Sequence, residues 1–311
     1  MCPSHREDRK LMKQRLDIDR STVKGEVGPT LVHPLRVGTM LLQVFAFTGF
    51  GLWMLLGLAL AMGIYSSSRG DTLVPLTLGG ALIGIGLVAA CLRTRWMPVW
   101  HGWRIGESPR PTREALMALA TFLPMMAVAG LARGDNEFWA TRLAGAALTL
   151  CSLASLVLTA RGDIPVRVPH LDSRLSAQLP LSRVVSAAYC GGLWLWLCVI
   201  GQEDRGVYGA STLPWIIGLL MLALLRGLIE GMRWQTLLTR FPGRRTRLEL
   251  QPRRYLAAIL AYALPCVALL LTSFDEGRLL LSGLAAVSCV LGLCMELSLY
   301  DGALPTIPAK P

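Results

Sequence analysis

Eight long apolar runs are the feature that most constrains this 311-residue chain. Each is about 17 to 28 residues long, and about 20 such residues cross the hydrocarbon core of a bilayer as a helix. A bilayer offers no water to unpaired backbone groups, so a span of this kind must be helical. The predicted spans are 38–65, 73–92, 115–132, 143–160, 184–200, 214–233, 255–272 and 279–299. The sequence therefore predicts an all-α polytopic membrane protein with eight transmembrane helices.

The composition agrees with this class. Hydrophobic residues make up 53% of the chain and charged residues 16%, whereas a soluble domain carries about 25% charged residues. The formal net charge is +11, but the basic residues flank spans and do not form a groove. They therefore indicate membrane topology and not a nucleic-acid partner.

The basic residues alternate between the two ends of the predicted spans. Of the 31 Lys and Arg residues, 25 lie in the two terminal tails or in and beside the connections after spans 2, 4 and 6, and Arg226 lies toward the same end of span 6. Basic connections stay in the cytoplasm. This predicts a multi-pass protein of the inner (cytoplasmic) membrane with both termini in the cytoplasm.

A faint internal repeat divides the membrane part into two halves. The run Leu119 to Pro124 in span 3 recurs as Leu260 to Pro265 in span 7, at an offset of 141 residues. This favours two four-helix bundles related by a parallel repeat, with both prolines bending their helices. The predicted segments are an N-terminal arm 1–37, a first half 38–160, a connector 161–183, a second half 184–300 and a tail 301–311.

Ionisable residues are rare inside the spans. Arg226 and Glu230 stand at i and i+4 in span 6, a spacing that predicts a local structural ion pair, and Glu296 lies near the end of span 8. Glycine pairs such as Gly79-Gly80 and Gly191-Gly192, together with Gly84, predict close helix packing.

The connection before span 3 carries the candidate site. Arg110, Arg113 and Glu114 stand at its end, and His101 lies earlier among three tryptophans. Two interpretations are open for Glu114. A carboxylate at a helix N-terminus complements the helix dipole, whereas one beside hydrocarbon can also exchange protons with a bound molecule.

The Arg113–Pro124 stretch resembles the membrane anchor subunit of the dimethyl sulfoxide reductase family. The sequence is similar to that family at four further places: His33-Pro34, the run Thr48-Gly49-Phe50-Gly51-Leu52, a small-residue span 4 that begins at Arg142 and ends near Ile164-Pro165, and Glu296, with eight spans in register. It departs where relatives carry a His-Leu-Gly, because this sequence has Leu92-Arg93-Thr94 there.

The resemblance implies a non-catalytic membrane subunit of an oxidoreductase complex. Such a subunit docks an iron–sulfur subunit, which carries a molybdopterin catalytic subunit, and it exchanges electrons with quinone. The quinone-binding candidates are Glu114, Arg113, His101 and Arg110. The partner-docking candidates are basic residues of the predicted cytoplasmic connections: Arg93, Arg95, Arg104, Arg244, Arg245 and Arg247.

The cofactors of such a complex are expected in its partners. No Cys-x-x-Cys occurs and no histidine lies within a predicted span, which predicts neither an iron–sulfur cluster nor a haem in this protein. Two alternatives stay open: a scaffold of the same descent without quinone turnover, and an unrelated eight-helix transporter.

Overall fold

The computed structural model describes residues 37–65, 69–91, 113–132, 138–162, 173–203, 213–240, 244–272 and 277–303. These residues are helical almost throughout and contain no strand. Eight helical stretches are long and apolar enough to cross a membrane. They are Met40–Ala61, Gly70–Leu87, Arg113–Leu131, Trp139–Arg161, Leu179–Gln202, Leu213–Gln235, Gln251–Leu271 and Arg278–Tyr300, called spans 1 to 8 below. The prediction of an all-α, eight-span membrane protein is confirmed.

The outer surface of the spans suits contact with lipid. Large apolar side chains are exposed along it, as at Leu123 with 74% and Leu280 with 78% of their surface accessible. Hydrocarbon can cover such side chains where water cannot. The protein is therefore a multi-pass membrane protein held in the bilayer by these helices.

Several helices continue beyond the apolar windows that identify them. The helix of span 5 runs over Ser173–Glu203 and begins inside the predicted connector. The other helices are Val37–Ala61, Arg69–Cys91, Arg113–Ala120, Phe122–Leu131, Trp139–Gly162, Leu213–Arg240, Arg244–Ala258, Leu264–Leu271 and Arg278–Ala303. An apolar run shows which part of a helix lies in lipid. The helix itself can continue into water with polar residues, because its backbone hydrogen bonds are made within the helix.

The helical hydrogen-bond ladder is interrupted just before both repeat prolines. Span 3 breaks at Thr121, three residues before Pro124, whose missing N–H cannot bond back one turn. Span 7 contains a π-helical turn, Ile259–Ala263, which ends two residues before Pro265. Single π turns accommodate such a disturbance. The expected disturbance at each proline is therefore present.

Spans 1 and 5 touch backbone to backbone at the centre of the bundle. A Cβ on Gly51 would lie 1.8 Å from the carbonyl oxygen of Ala187, and one on Gly191 would lie 2.2 Å from the amide nitrogen of Leu52. The glycine pattern thus correctly predicts close packing here. At Gly84 it does not, because no atom lies within 4 Å of the Cβ position.

The helices of the two halves have corresponding neighbours. Span 1 contacts spans 2 and 4, as span 5 contacts spans 6 and 8, and span 3 packs on span 4 as span 7 packs on span 8. A parallel repeat would give this arrangement, but the repeat itself stays a prediction. Both halves belong to one compact unit, Leu35–Pro311.

Candidate functional site

The candidate residues before span 3 are only partly described. Arg113 and Glu114 form the first turn of the helix Arg113–Ala120, with Arg113 exposed and Glu114 half-buried. A carboxylate in this turn stabilises the helix dipole, so the position fits both interpretations of Glu114. His101 and Arg110 lie outside the described residues, and the predicted quinone site of four residues stays a prediction.

The docking candidates fall into two groups. Arg93, Arg95 and Arg104 lie outside the described residues. Arg244, Arg245 and Arg247 lie in the helix Arg244–Ala258, which begins seven residues before span 7. They therefore belong to a basic helical extension at the end where span 7 begins.

A buried arginine organises a different site, in the second half of the protein. Arg226 of span 6 is 1% exposed and makes a salt bridge with Glu296 of span 8. Its Nε donates to the hydroxyl of Ser186 in span 5 at 3.1 Å, and its guanidinium lies 4.6 Å from the ring centre of Tyr262 in span 7. One side chain thus joins four spans, and the predicted local pair between Arg226 and Glu230 is wrong.

Glu230 has its own set of partners one turn later. It accepts a hydrogen bond from the phenol of Tyr300 and another from the hydroxyl of Ser182, the latter at 3.1 Å. Arg233 Nη1 lies 3.8 Å from Glu230 Oε1, and Glu230 stands one helical turn after Arg226, the salt-bridge partner of Glu296. Two buried carboxylates and two arginines therefore lie together, and their formal charges balance.

Stacked aromatic and basic side chains close this cluster on one side. Arg233 lies 3.8 Å above the Tyr300 ring, and the Trp234 ring stacks on Tyr300 with centres 4.7 Å apart. Arg254 of span 7 lies 4.9 Å from the Trp234 ring centre. Such cation–π contacts hold the end of span 7 against spans 6 and 8.

A large cavity of about 240 Å³ lies between spans 6, 7 and 8. Its lining includes Glu230, Glu296, Tyr262 and two glycines of span 6, Gly227 and Gly231. No atom lies within 4 Å of the Cβ position of Gly231, so the space beside span 6 exists because these positions lack side chains. The carboxylates and the Tyr262 phenol form its polar wall.

A small cavity of about 70 Å³ lies between spans 1, 5, 6 and 8. It is lined on one side by apolar residues such as Phe47 and Leu297, and on the other by Ser182 and Arg183. Glu230 and Glu296 line it too. The same two carboxylates therefore border both cavities.

Two buried polar atoms at the site have no hydrogen-bond partner among the described residues. They are Nη1 of Arg226 and the phenol oxygen of Tyr262. Leaving a buried donor unsatisfied costs about 1–3 kcal/mol. Unsatisfied donors beside a cavity are typical of a place where a polar group of a ligand binds.

Within the described residues, no group of three or more His, Cys, Asp and Glu side chains is arranged to hold a metal ion. The polar groups at the site are carboxylates, guanidinium groups, phenols and hydroxyls. These groups donate and accept hydrogen bonds and can exchange protons.

Sequence reasoning placed the candidate site in the first half and missed this cluster as a unit. The available signal was the presence of three ionisable residues, Arg226, Glu230 and Glu296, inside apolar runs, since such residues mark functional sites in membranes. The side chains of spans 5 and 7 that complete the site could not be identified from the sequence. Serines and tyrosines are unremarkable in membrane helices until their neighbours are known.

Comparison with known proteins gives no relative: no family model, no curated protein and no solved structure matches this sequence.

Proposed function

We propose that this protein is the membrane anchor subunit of a molybdopterin oxidoreductase complex, docking an iron–sulfur subunit and exchanging electrons with the quinone pool. The quinone ring binds in the large cavity between spans 6, 7 and 8. Quinol oxidation releases two protons and two electrons, and quinone reduction takes them up. The anchor supplies the binding and the proton exchange, whereas the electrons pass to or from the iron–sulfur clusters of the partner.

The observation that carries this proposal is the polar wall of the large cavity. A quinone ring needs hydrogen-bond donors at its two oxygens and a group that takes or gives a proton. The phenol of Tyr262, which lacks a partner in the described structure, lies in this wall with the carboxyl groups of Glu230 and Glu296. Nη1 of Arg226 also lacks a partner among the described residues, and its guanidinium lies behind the wall, 4.6 Å from the Tyr262 ring centre. An engineered cavity of about 150 Å³ accepts a benzene ring, so about 240 Å³ has room for a substituted ring.

The lipid side of the cavity supports entry from the bilayer. Leu228 and Ile259, beside the cavity on spans 6 and 7, are 58% and 51% exposed, and Gly227 is exposed between them. Quinones are lipid-soluble and reach their sites through hydrocarbon. An opening lined by apolar and small residues on the lipid-facing surface suits such a ligand.

The sequence supports the remaining parts of the proposal. The resemblance of Arg113–Pro124 to the dimethyl sulfoxide reductase anchor family implies the iron–sulfur and molybdopterin partners. The helix Arg244–Ala258 carries Arg244, Arg245 and Arg247 in its sequence at the predicted cytoplasmic end, and basic residues there would attract an acidic partner. Glu114 and its neighbours stay a second candidate for the quinone site.

The proposal includes an inner-membrane location with both termini in the cytoplasm. Reporter fusions after residues 70, 136, 205 and 276 are expected to report the outside at all four points, because the basic residues favour the opposite side. Fusions after residues 37 and 303 should report the cytoplasm. A cytoplasmic signal at two or more of the first four points would contradict the topology.

Filling the large cavity is expected to stop quinone exchange. The complex is purified in mild detergent with the anchor tagged, and quinol-linked electron transfer through the captured iron–sulfur partner is measured. A Gly231→Leu variant places a side chain in the cavity without meeting protein atoms at the Cβ position. Overpacking costs about 1–3 kcal/mol, and about 1.4 kcal/mol is a tenfold change in affinity, so the Kd for a quinol analogue should rise about tenfold or more.

The matched control is Gly218→Leu on the same helix, where no atom lies within 4 Å of the Cβ position and which does not line the cavity. It should leave the affinity unchanged.

A Glu114→Gln variant separates the two candidate sites. If Glu114→Gln loses quinol-linked turnover while Gly231→Leu keeps it, the quinone binds at the start of span 3 and not in the large cavity. If the iron–sulfur partner is captured but the complex shows no quinol-linked turnover, the alternative function as a scaffold is favoured instead.

A transporter is a second candidate, favoured by the π-helical turn Ile259–Ala263 beside a buried charged cluster. Interrupted helices at membrane depth are typical of substrate sites in transporters. Recovery of the protein without any iron–sulfur partner in mild detergent, at low and at high salt, would favour this function over the anchor.

A further inference from the structure

Glu230 and Glu296 each border both cavities, which lie on opposite sides of the contact between spans 6 and 8. A carboxylate that faces only one cavity can exchange a proton with only one environment. A carboxylate pair that faces two can take a proton from one side and release it on the other. The arrangement therefore joins the two cavities through titratable groups.

The two cavities differ in size, so they can hold different molecules. A benzene ring needs a cavity of about 150 Å³, whereas one water needs about 10–15 Å³ and two to four polar partners. The small cavity, with about 70 Å³, is too small for a ring and has room for several waters. Polar partners for them include Ser182, Arg183, Ser186 and Arg233.

Ser182 connects the carboxylates to this small cavity. Its hydroxyl donates to Oε2 of Glu230 at 3.1 Å, and Arg233 Nη1 lies 3.4 Å from the same hydroxyl oxygen. Ser182 is three residues inside the end of span 5, which at 1.5 Å per residue is about 4.5 Å from that end. The small cavity therefore lies near the end of the bundle at which span 5 begins.

We infer that the small cavity is an aqueous proton-exchange chamber, and that Glu230 and Glu296 pass protons between its water and the quinone ring in the large cavity. This inference rests on the proposed function for the identity of the ring. When quinol is oxidised, each ring O–H bond breaks and its proton goes to a carboxylate oxygen. The two electrons leave one at a time to the iron–sulfur clusters of the partner. The carboxylate then gives its proton to water in the small cavity, and reduction of quinone runs these steps in reverse.

Arg226 is a positioning residue in this scheme. Its salt bridge holds Glu296 at the boundary between the cavities, while its Nε–H bond to Ser186 fixes the guanidinium against span 5. Glu230 and Glu296 line the same two cavities, and neighbouring carboxylates can share one proton. The pair therefore stores a proton between its uptake on one side and its release on the other.

Water access to the small cavity can be measured without any quinone. Single-cysteine additions Ser182→Cys and Leu297→Cys are made in the full-length protein, both at positions that line the small cavity. Membranes are treated with iodoacetamide, which reacts with the thiolate, a form that a thiol adopts in water and not in hydrocarbon. Intact mass should show one more adduct per molecule than the unmodified protein at both positions.

The matched control is Ser152→Cys in span 4, a fully buried position that lines neither cavity. It should gain no adduct. If neither Ser182→Cys nor Leu297→Cys reacts faster than Ser152→Cys, the small cavity holds no exchanging water and the inference is overturned. That result would leave the proposed quinone site standing, because it depends on the large cavity.

A functional variant tests the link between the cavities. Ser182→Val removes the hydroxyl from Glu230 and fills part of the small cavity. The affinity for a quinol analogue should stay unchanged while quinol-linked kcat falls about a hundredfold, the lower end of what a positioned proton-transfer group contributes. Ser182→Thr, which keeps the hydroxyl, should restore turnover. An unchanged kcat in Ser182→Val would overturn the proton route, and absence of quinol turnover in the unmodified complex would instead contradict the proposed function.

Discussion

Gly51→Ala is expected to destabilise the bundle strongly. The new Cβ would lie 1.8 Å from the carbonyl oxygen and 2.4 Å from the carbonyl carbon of Ala187. Both are backbone atoms of span 5, so no side-chain rotation can relieve the overlap. Spans 1 and 5 would have to separate, and their contact lies at the centre of the protein.

The size of the effect follows from this location. Overpacking in a core costs about 1–3 kcal/mol and sometimes more, and a backbone overlap belongs at the upper end. Folded proteins are stable by about 5–15 kcal/mol. We expect a large drop in the thermal transition of the detergent-purified protein and a low yield of monodisperse material.

Gly84→Ala and Gly218→Ala are the matched controls, because no atom lies within 4 Å of either Cβ position. Alanine has a higher helix propensity than glycine by about 1 kcal/mol. These two variants should therefore match or exceed the stability of the unmodified protein. Equal stability of Gly51→Ala and Gly84→Ala would contradict the close contact between spans 1 and 5.

Arg226→Met is expected to destabilise the second half by about 3–5 kcal/mol, the usual effect of leaving one member of a buried ion pair without its partner. Arg226 is 1% exposed and Glu296 is 9% exposed, so loss of the guanidinium leaves a buried carboxylate without its ion-pair partner. The variant also loses the bond to Ser186 and the contact with the Tyr262 ring. The measurement is the thermal transition of the purified protein.

The double variant Arg226→Met with Glu296→Leu separates the charge effect from general loss of packing. Replacing both members of a buried pair by apolar residues is often neutral or stabilising. Most of the lost stability should therefore return, whereas the proposed quinol-linked turnover should not. If instead the two single effects simply add, the residues do not interact. Arg253→Met, at an exposed position on span 7, is the control and should change stability by no more than about 0.5 kcal/mol.

The fold class could be predicted from the sequence because the bilayer leaves few alternatives. Runs of about 20 apolar residues have to be helices there, since every backbone group must be satisfied within the segment. Pro124 and Pro265 likewise predicted disturbed helices, because a proline lacks the N–H that the ladder needs. The composition of each run therefore predicted a span without any knowledge of the helices that pack beside it.

The helix ends were predicted less well. The helix Ser173–Glu203 begins about ten residues before the predicted start of span 5. Hydropathy reports where the surroundings change from water to lipid. A helix can cross that boundary without ending.

Which residues meet was decided by the tertiary structure alone. The i and i+4 spacing favoured Glu230 as the partner of Arg226, yet the salt bridge is made with Glu296, and Glu230 instead accepts from Tyr300. Glycine content predicted close packing, but only the arrangement of the spans decided that Gly51 packs on span 5 while a Cβ at Gly84 would meet no atom within 4 Å. Local sequence fixes the helices because their hydrogen bonds are local. The charged cluster and its two cavities arise from contacts among five spans, which depend on how whole helices pack.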